Sequence, residues 1–232
     1  MKITMIHGQN HKGSSYHIGS LIADQIHGEK EISEFFLPGE LNHFCLGCYQ
    51  CIREESRCPF YREKKKIMDA VEQADLLIFT TPTYCMRASA PMKNLLDLTF
   101  TYWMIHKPRE CMFRKRAVVV STAAGSGTRT AIKDITNALF YWGIPATLTY
   151  GASVQAMNWE QVPEKRKRKI ERDTKRIAAR LSKDRKVRVG VKTRCLFLVM
   201  RFMQKAGWGS GPAEKQYWED NGWLGRTRPW KR

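Results

Sequence analysis

The sequence predicts an α/β protein built on a doubly wound, five-stranded parallel sheet, followed by a basic helical C-terminal extension. Apolar runs of strand length alternate with segments of helical spacing along the first two thirds of the chain. Two of these runs, 76–79 and 117–120, are apolar at every position, which is typical of strands covered on both faces. In such folds ligands bind beyond the carboxyl ends of the strands, so the loops that follow the strands are candidate sites.

Each element of this fold has its own signal. Helical spacing begins at Ser14 and ends at Gly28, and the second strand stops at the pair Pro38-Gly39. Further helices are predicted at 67–74, 90–102 and 130–142. The five strands are predicted at 3–7, 32–37, 76–79, 117–120 and 146–150. Because helices separate successive strands, the strands are expected to pair in parallel.

The character of the chain changes beyond Gly151. Pro163 opens a strongly basic helix, residues 187–206 form a second basic amphipathic stretch, and a glycine-rich break at 207–212 precedes a tryptophan-rich tail. The apolar stripe of the first of these helices is predicted to dock it on the sheet, and it consists of Ile170, Ile177, Ala178 and Leu181. We therefore divide the chain into a domain of residues 1–159 and an extension of residues 160–232.

The positive charge is concentrated in this extension. The formal net charge is +18, and residues 160–232 carry 22 Lys and Arg against 8 Asp and Glu. A basic tail can bind nucleic acid or an anionic membrane. The tail tryptophans, however, carry a large apolar area that favours packing. We therefore favour a tail that packs against protein over one that binds nucleic acid.

The loop at residues 8–16 leaves the first strand and enters the first helix. Free backbone N–H groups and the helix dipole favour an anion at such a point, and Gly8 and Gly13 permit a tight turn. The loop has neither the Gly-Lys-Ser/Thr ending of a Walker loop nor the three-glycine spacing of a Rossmann fingerprint. A plain polar connection is the alternative to a phosphate site. The candidate phosphate-binding residues are Gln9, Asn10, His11, Ser14, Ser15 and Tyr16.

Two further loops with small or hydroxyl residues follow the third and fourth predicted strands. Because the carboxyl ends of parallel strands share one edge of the sheet, one ligand could contact all three loops. The candidate ligand-binding residues in these two loops are Pro82, Thr83, Tyr84, Cys85, Ala124, Gly125 and Ser126. We assign no catalytic residue, and we expect the nearby His7, His11 and His17 to be polar loop or helix-start residues.

Four of the seven cysteines are clustered, at Cys45, Cys48, Cys51 and Cys58. Spacings of two residues bring three thiolates around one point, as a [4Fe–4S] cluster requires, and the fourth can close the site. Four thiolates suit zinc equally well, and thiols without any ligand are the third interpretation. The odd cysteine count, together with a first segment that lacks signal-peptide features, predicts a cytoplasmic protein.

These motifs together resemble the NADPH-dependent FMN reductase branch of the flavodoxin-like superfamily, which includes the iron–sulfur flavoproteins. The resemblance covers residues 2–151. It is carried by the loop at 8–16, by the Pro-x-Tyr of Pro82 and Tyr84 with the Lys93…Asp97 helix after it, and by the glycine-containing loop at 123–127. It implies a flavodoxin-like fold with the FMN phosphate in the first loop. Cys85-Met86 and Leu98 depart from the family pattern.

The resemblance also implies a reaction and partners. Hydride would pass from NAD(P)H to FMN, and electrons would then pass to a quinone, a flavin or another small-molecule acceptor, in a protein that is a homo-oligomer. The cysteine motif resembles the [4Fe–4S] motif of iron–sulfur flavoproteins, and residues 217–224 resemble tails that pack on their own domain or on a neighbouring subunit. The alternatives are a flavodoxin-like electron-transfer protein without NAD(P)H activity, which the positive charge disfavours, and a binding module acting through its basic tail.

Overall fold

A computed structural model describes residues 1–183, 187–209 and 211–231; Ser210, in the glycine-rich break, lies outside them. Five parallel strands form the sheet in the order β2-β1-β3-β5-β6, and the two-residue β4 pairs antiparallel with the end of β3. The strands are β1 Lys2–His7, β2 Glu31–Phe36, β3 Leu76–Tyr84, β4 Arg87–Ala88, β5 Arg116–Ala123 and β6 Ala146–Ser153. The predicted five-stranded parallel sheet is therefore confirmed.

The helices differ from the predicted ones chiefly at their ends. The helix expected at 90–102 ends at Leu98, and residues 100–102 form a separate 3₁₀ turn. The cysteine loop, which shows no periodicity in the sequence, contains one short α-helix and a 3₁₀ turn at 55–57. The helices are α1 Ser14–Asp24, α2 Gln50–Arg53, α3 Tyr61–Gln73, α4 Ala90–Leu98, α5 Thr128–Tyr141, α6 Glu164–Leu181, α7 Val191–Lys205 and α8 Pro212–Asp220. Within the described parts of the chain, no helix has both the length and the apolar character needed to cross a bilayer.

Helices cover both faces of the sheet. Helices α1 and α6 pack on one face around Ile18, Ile78 and Ile170, while α3, α4 and α5 pack on the other around Phe79, Leu95 and Ile135. The stripe predicted to dock α6 does so, because Ala178 and Leu181 are buried in the same cluster as Ile170. Burial on both faces explains why the central strands are continuously apolar.

The last part of the chain builds a third apolar cluster. Phe197 of α7 and Trp218 of α8 are fully buried together with Phe113, which lies just before β5. The indole N–H of Trp218 donates a hydrogen bond to the carbonyl of His106 at 2.8 Å. The tail therefore packs on the same chain through both apolar area and specific hydrogen bonds.

Candidate functional site

The loops after β1 and β3 are joined by hydrogen bonds at the carboxyl edge of the sheet. The amide of Gly8 donates to the carbonyl of Thr80 at 2.7 Å. The Ser89 hydroxyl donates to the carbonyl of Gly8 at 2.5 Å, and the Ser89 amide donates to Thr81 Oγ1 at 3.0 Å. A Cβ atom on Gly8 would lie 2.6 Å from Ser89 Oγ. This close approach requires glycine at position 8.

Ser15 makes the start of α1 suitable for an anion. Gly13 is extended and provides no side-chain cap, and the first turn of α1 contains no acidic residue. Ser15 is buried, yet its Oγ has no hydrogen-bond partner among the described residues. A buried hydroxyl without a partner is costly, and a phosphate oxygen would accept its hydrogen bond. Together with the free N–H groups of the first turn, this arrangement fits the phosphate of FMN.

The other predicted residues of this loop surround the start of α1. Gln9 is buried and its Nε2 donates to the carbonyl of His11 at 3.1 Å, which closes the loop on itself. Asn10 and His11 are exposed, Ser14 is buried, and Tyr16 is half-buried. The ammonium of Lys12 lies 5.3 Å from the centre of the Tyr16 ring and adds a positive charge beside the loop.

His7 ends β1 directly beneath the loop and is fully buried. Its Nδ1 lies 2.8 Å from Thr80 Oγ1, and its Nε2 lies 3.4 Å from Glu34 Oε1. Burial, reinforced by the charge of Lys12, lowers the pKa of His7 to about 4. The imidazole is therefore neutral near pH 7. Because a carboxylate only accepts hydrogen bonds, Nε2 carries the proton and the Thr80 hydroxyl donates to Nδ1.

The β3–β4 hairpin projects from the same edge with an unusual turn. Cys85 and Met86 both adopt left-handed backbone angles, with φ of 48° and 64°. Two consecutive positive φ values in a two-residue hairpin loop are typical of a type I′ turn, which normally selects asparagine and glycine. Tyr84, Cys85 and Met86 are exposed, while Pro82 is buried. Strained backbone at an exposed turn beside a candidate site is typical of a segment shaped for a ligand.

The loop after β5 lies against this hairpin. Gly127 has a φ of 98°, and a Cβ atom there would lie 2.7 Å from Thr83 Cγ2. The hydroxyls of Thr83 and Ser121 lie 2.9 Å apart, and Thr130 Oγ1 donates to the carbonyl of Met86. The predicted residues Ala124, Gly125 and Ser126 form the exposed tip of this loop. The structure therefore brings the loops after β1, β3 and β5 to one edge of the sheet.

The four clustered thiols line a single cavity of about 300 Å³ between α2 and α4. Cys45 and Cys48 are exposed, whereas Cys51 and Cys58 are buried. Burial raises the pKa of the Cys51 thiol, and the neighbouring ammonium of Lys64 acts in the opposite direction. The donor set suits a soft metal, but no three ligands among the described residues are close enough to hold one metal ion.

A polar network connects the cysteine loop to the tail. Arg109 pairs with Glu55, which follows α2, and its Nε lies 3.3 Å from Glu72 Oε1. Although burial opposes it, the charge of Glu55 raises the pKa of Arg109 above its ordinary value. Arg109 Nη1 also donates to Tyr217 Oη of α8 at 3.5 Å. This network ties the position of the cysteine loop to the packing of the tail.

Sequence reasoning missed two groups of residues in this region. Ser89 joins two loops, and its place before Ala90-Pro91 at a helix start could have identified it as a capping-type serine. Instead of capping α4, its hydroxyl bonds to Gly8. Arg109 and Glu55 carry no sequence signal, because Arg109 is 37 residues from Glu72 and 54 residues from Glu55 along the chain.

The fold and the three-loop edge together define a flavodoxin-like protein whose α1 begins without a side-chain cap beside the buried Ser15 hydroxyl. The family model of the NADPH-dependent FMN reductases matches residues 1–157. The chain belongs to the NADPH-dependent FMN reductase family. The resemblance drawn from the sequence is thus confirmed, as is the class of an NAD(P)H-dependent FMN oxidoreductase at the level of the family.

One relative in sequence and two solved structures are similar to this chain. An iron–sulfur flavoprotein of Methanocaldococcus jannaschii is 32% identical over 103 residues, which are 42% of this chain and 49% of that protein. The match thus spans about half the length of that relative. An FMN-dependent NADH-azoreductase of Bacillus anthracis, solved with FMN, has a TM-score of 0.56 at 13% identity and covers 79% of this chain and 100% of its own. An NAD(P)H:quinone oxidoreductase of Methanothermobacter marburgensis has a TM-score of 0.55 at 14% identity, covering 80% and 98%. These two structures are similar in fold.

Proposed function

We propose that this protein binds FMN at the carboxyl edge of its sheet and uses it to pass electrons from NAD(P)H to a small-molecule acceptor such as a quinone or a flavin. The observation that carries the proposal is the buried, unpartnered Ser15 hydroxyl at an uncapped helix start, beside two further loops on the same edge. Family membership and the names of the azoreductase and quinone oxidoreductase support the same reaction class.

Each loop has its own role in this proposal. The start of α1 binds the phosphate, with the hydroxyl of Ser15 as a donor to it. The other residues that we assign to the phosphate are Gln9, Asn10, His11, Ser14 and Tyr16. The two remaining loops orient the flavin ring, and the residues assigned to them are Pro82, Thr83, Tyr84, Cys85, Ala124, Gly125 and Ser126.

The protein needs no acid or base of its own for this chemistry. When bound, FMN supplies the capacity to accept hydride and to release electrons singly or in pairs. In this proposal, backbone N–H groups of the exposed loop tips at 84–86 and 124–126 donate to polar atoms of the ring. His7 is neutral near pH 7, and its hydrogen bond with Thr80 stabilises the end of β1. We propose that the enzyme is cytoplasmic, because NAD(P)H is available in the cytoplasm and thiols stay reduced there. We also propose that it is a homo-oligomer, as the family resemblance implies.

Anaerobic reduction of the bound flavin tests the proposal. NADH or NADPH added to the FMN-loaded protein without oxygen is expected to bleach the flavin absorbance, and a quinone added afterwards is expected to restore it. An electron-transfer protein without NAD(P)H activity would take up FMN but would keep its absorbance on this treatment. A protein that fails to bind FMN would overturn the assignment of the whole site.

Replacing Ser15 tests the carrying observation directly. A hydrogen bond to a charged group contributes about 1.5–3 kcal/mol, so Ser15→Ala is expected to weaken FMN binding roughly ten- to hundredfold. Stability of the apoprotein should be unchanged or slightly higher, because the hydroxyl has no partner to lose. Flavin fluorescence titration and thermal unfolding measure the two effects.

Ser20→Ala is the matched control for Ser15. Ser20 Oγ is also buried without a partner on α1, but it lies more than a turn beyond the start of the helix. This variant should therefore bind FMN as the parent protein does. Equal losses of affinity in the two variants would contradict a phosphate contact at Ser15.

The cysteine loop is a second candidate redox site. We propose that Cys45, Cys48, Cys51 and Cys58 bind a [4Fe–4S] cluster, because four thiols line one cavity and the M. jannaschii relative is named an iron–sulfur flavoprotein. Because no three ligands among the described residues are close enough to hold one metal ion, binding requires the thiols of this loop to move closer together. Burial raises the pKa of the Cys51 thiol, and the positive charge of Lys64 offsets part of this rise.

Elemental analysis of protein purified without air tests the cluster. Four irons and four acid-labile sulfides per chain are expected, and Cys48→Ser should abolish them while Cys195→Ser, on α7, should not. Zinc in place of iron would identify a structural metal site. Absence of both metals would show that the four thiols act without one.

A further inference from the structure

Helix α7 has an exposed apolar face in addition to its buried one. Val191, Leu198, Val199 and Phe202 are 74%, 45%, 53% and 62% exposed. Their spacing of seven, eight and eleven residues places them on one side of the helix. Phe197 and Gln204, on the opposite side, are fully buried in the tail cluster. An amphipathic helix on a protein surface normally turns polar residues outward, whereas α7 also exposes these four apolar side chains.

Trp208 extends this face beyond the end of the helix. It is 66% exposed, and its ring meets Phe202 edge to face at 6.0 Å between ring centres. Five of the twelve large hydrophobic residues that are exposed in the described chain lie in this one segment. Contiguous exposed apolar area of this kind marks an interaction surface. We call these five residues the apolar face of α7.

Positive charge flanks the apolar face. Residues 187–209 contain five Lys and Arg and no Asp or Glu. Lys192 and Lys205 are exposed at the two ends of the helix, and Arg194 lies 5.9 Å from the Trp230 ring. An apolar stripe with tryptophan and phenylalanine, bordered by basic residues, is the pattern of a helix that lies in the plane of a membrane interface.

We propose that α7 docks this protein on the surface of an anionic lipid bilayer. The apolar face would enter the boundary between headgroups and acyl chains, and Lys192 and Lys205 would contact lipid phosphates. Charge decides against a second copy of the chain docked through its own α7. Two α7 helices face to face would bring their basic flanks together, and this segment has no acidic residue to neutralise them.

The position of α7 in the fold leaves the flavin edge open. Phe197 packs on Phe113 at 6.0 Å between ring centres, and Phe113 lies just before the amino end of β5. The three candidate ligand loops follow the carboxyl ends of β1, β3 and β5, at the opposite edge of the sheet. Docking through α7 therefore keeps the candidate site accessible from the aqueous side.

Sedimentation of the full chain with lipid vesicles tests the proposal. Binding is expected to vesicles of phosphatidylcholine mixed with phosphatidylglycerol, and much weaker binding to phosphatidylcholine alone. Val199→Ser with Phe202→Ser removes apolar area and is expected to weaken binding at least about tenfold. Lys192→Glu with Lys205→Glu is expected to weaken it by a similar factor or more, with a steep dependence on salt.

Two control variants test whether exposed apolar or basic residues outside α7 also contribute to vesicle binding. Met157→Ser changes a residue that is 92% exposed elsewhere, and Arg172→Glu with Lys175→Glu makes the same charge change on the exposed side of α6. Both should bind within about twofold of the parent protein. Circular dichroism and thermal unfolding establish that every variant is folded.

Three outcomes would overturn the proposal. The first is no binding to anionic vesicles. The second is binding that survives both α7 double variants but is lost in the α6 variant, which would assign the contact to α6. The third is a smaller oligomer in size-exclusion chromatography for the Val199→Ser, Phe202→Ser protein alone, which would show that a second copy covers the face.

Discussion

At the scale of single residues, burial decides what His7, which lies beneath the candidate site, can do. His7 occupies a fully buried position between Thr80 and Glu34. A charged imidazole there would lose its hydration and face the charge of Lys12. The neutral form is therefore part of the folded state, and protonation of His7 competes with folding.

This competition predicts a pH dependence of stability. The folded pKa of His7, about 4, lies below the unfolded value of 6.5, so the unfolded chain binds the extra proton between these values. The free energy of unfolding should consequently fall as pH falls from 6.5 to 4. The loss from this group is on the order of 3 kcal/mol. Urea unfolding at a series of pH values measures it.

A glutamine at position 7 is the test variant. Its amide oxygen can accept from Thr80 and its N–H can donate to Glu34, but it does not titrate. His7→Gln should thus flatten the slope of stability between pH 4 and 6.5, whereas His27→Gln, at an exposed position, should leave the slope unchanged. If both variants retain the slope of the parent, the proton uptake belongs to another group.

Individual site residues were predictable only where a local pattern marks them. The hydroxyls of Ser14 and Ser15 follow a strand and precede a helix, and the structure places them in the first turn of α1. The sequence does not show that the Ser15 hydroxyl lacks a partner, because that depends on everything packed around it. Nor does it show that Ser89 bonds to Gly8, 81 residues away. Long-range contacts are not encoded in spacing.

At the scale of elements, α1 must lie close to β3 for its first turn to reach the edge of the sheet. Gly19 permits this approach, because a Cβ atom at that position would lie 2.6 Å from Thr80 Cγ2. Thr80 is fully buried and its hydroxyl bonds to His7. The threonine therefore cannot turn aside without breaking that hydrogen bond.

Gly19→Ala is expected to destabilise the protein despite the helix propensity of alanine. In an exposed helix the change would add about 1 kcal/mol of stability. Here overpacking should cost about 1–3 kcal/mol and displace the start of α1, which should also weaken FMN binding. Ser20→Ala, the neighbouring substitution toward a better helix former, is the control in urea unfolding. A more stable Gly19→Ala protein would disprove the close contact.

Elements were predictable in proportion to their length and periodicity. The central strands were located because burial on both faces makes them continuously apolar. The prediction stopped β3 at Phe79, however, because the polar residues Thr80 and Thr81 are buried within the strand. The turn at Cys85-Met86 was missed, since neither residue is typical of positive φ. Helix α8 was missed although Pro212 stands at its first position and Gly222 follows its end, both of which are helix-boundary signals.

At the scale of the whole molecule, the tail is built into the packing of the first 159 residues rather than added to it. Glu214 of α8 is fully buried and its Oε1 lies 2.7 Å from His106 Nδ1. The Tyr217 hydroxyl donates to the carbonyl of Pro108 at 2.6 Å. Both contacts span more than 100 residues of sequence. A segment tied in this way should unfold together with the sheet.

Two tryptophans of the extension provide the test of this cooperativity. Trp218 is fully buried between Phe197 and Trp223 and donates to the carbonyl of His106, whereas Trp208 is largely exposed. Trp218→Ala should destabilise the protein by about 3–5 kcal/mol, and Trp208→Ala should change stability by less than about 0.5 kcal/mol.

Urea unfolding followed separately by circular dichroism and by bound-flavin fluorescence measures the loss in both regions. If the tail and the sheet form one cooperative unit, both signals shift together in Trp218→Ala. The circular dichroism signal could instead shift alone, with the flavin released at the same urea concentration as in the parent protein. That result would show that the tail unfolds independently.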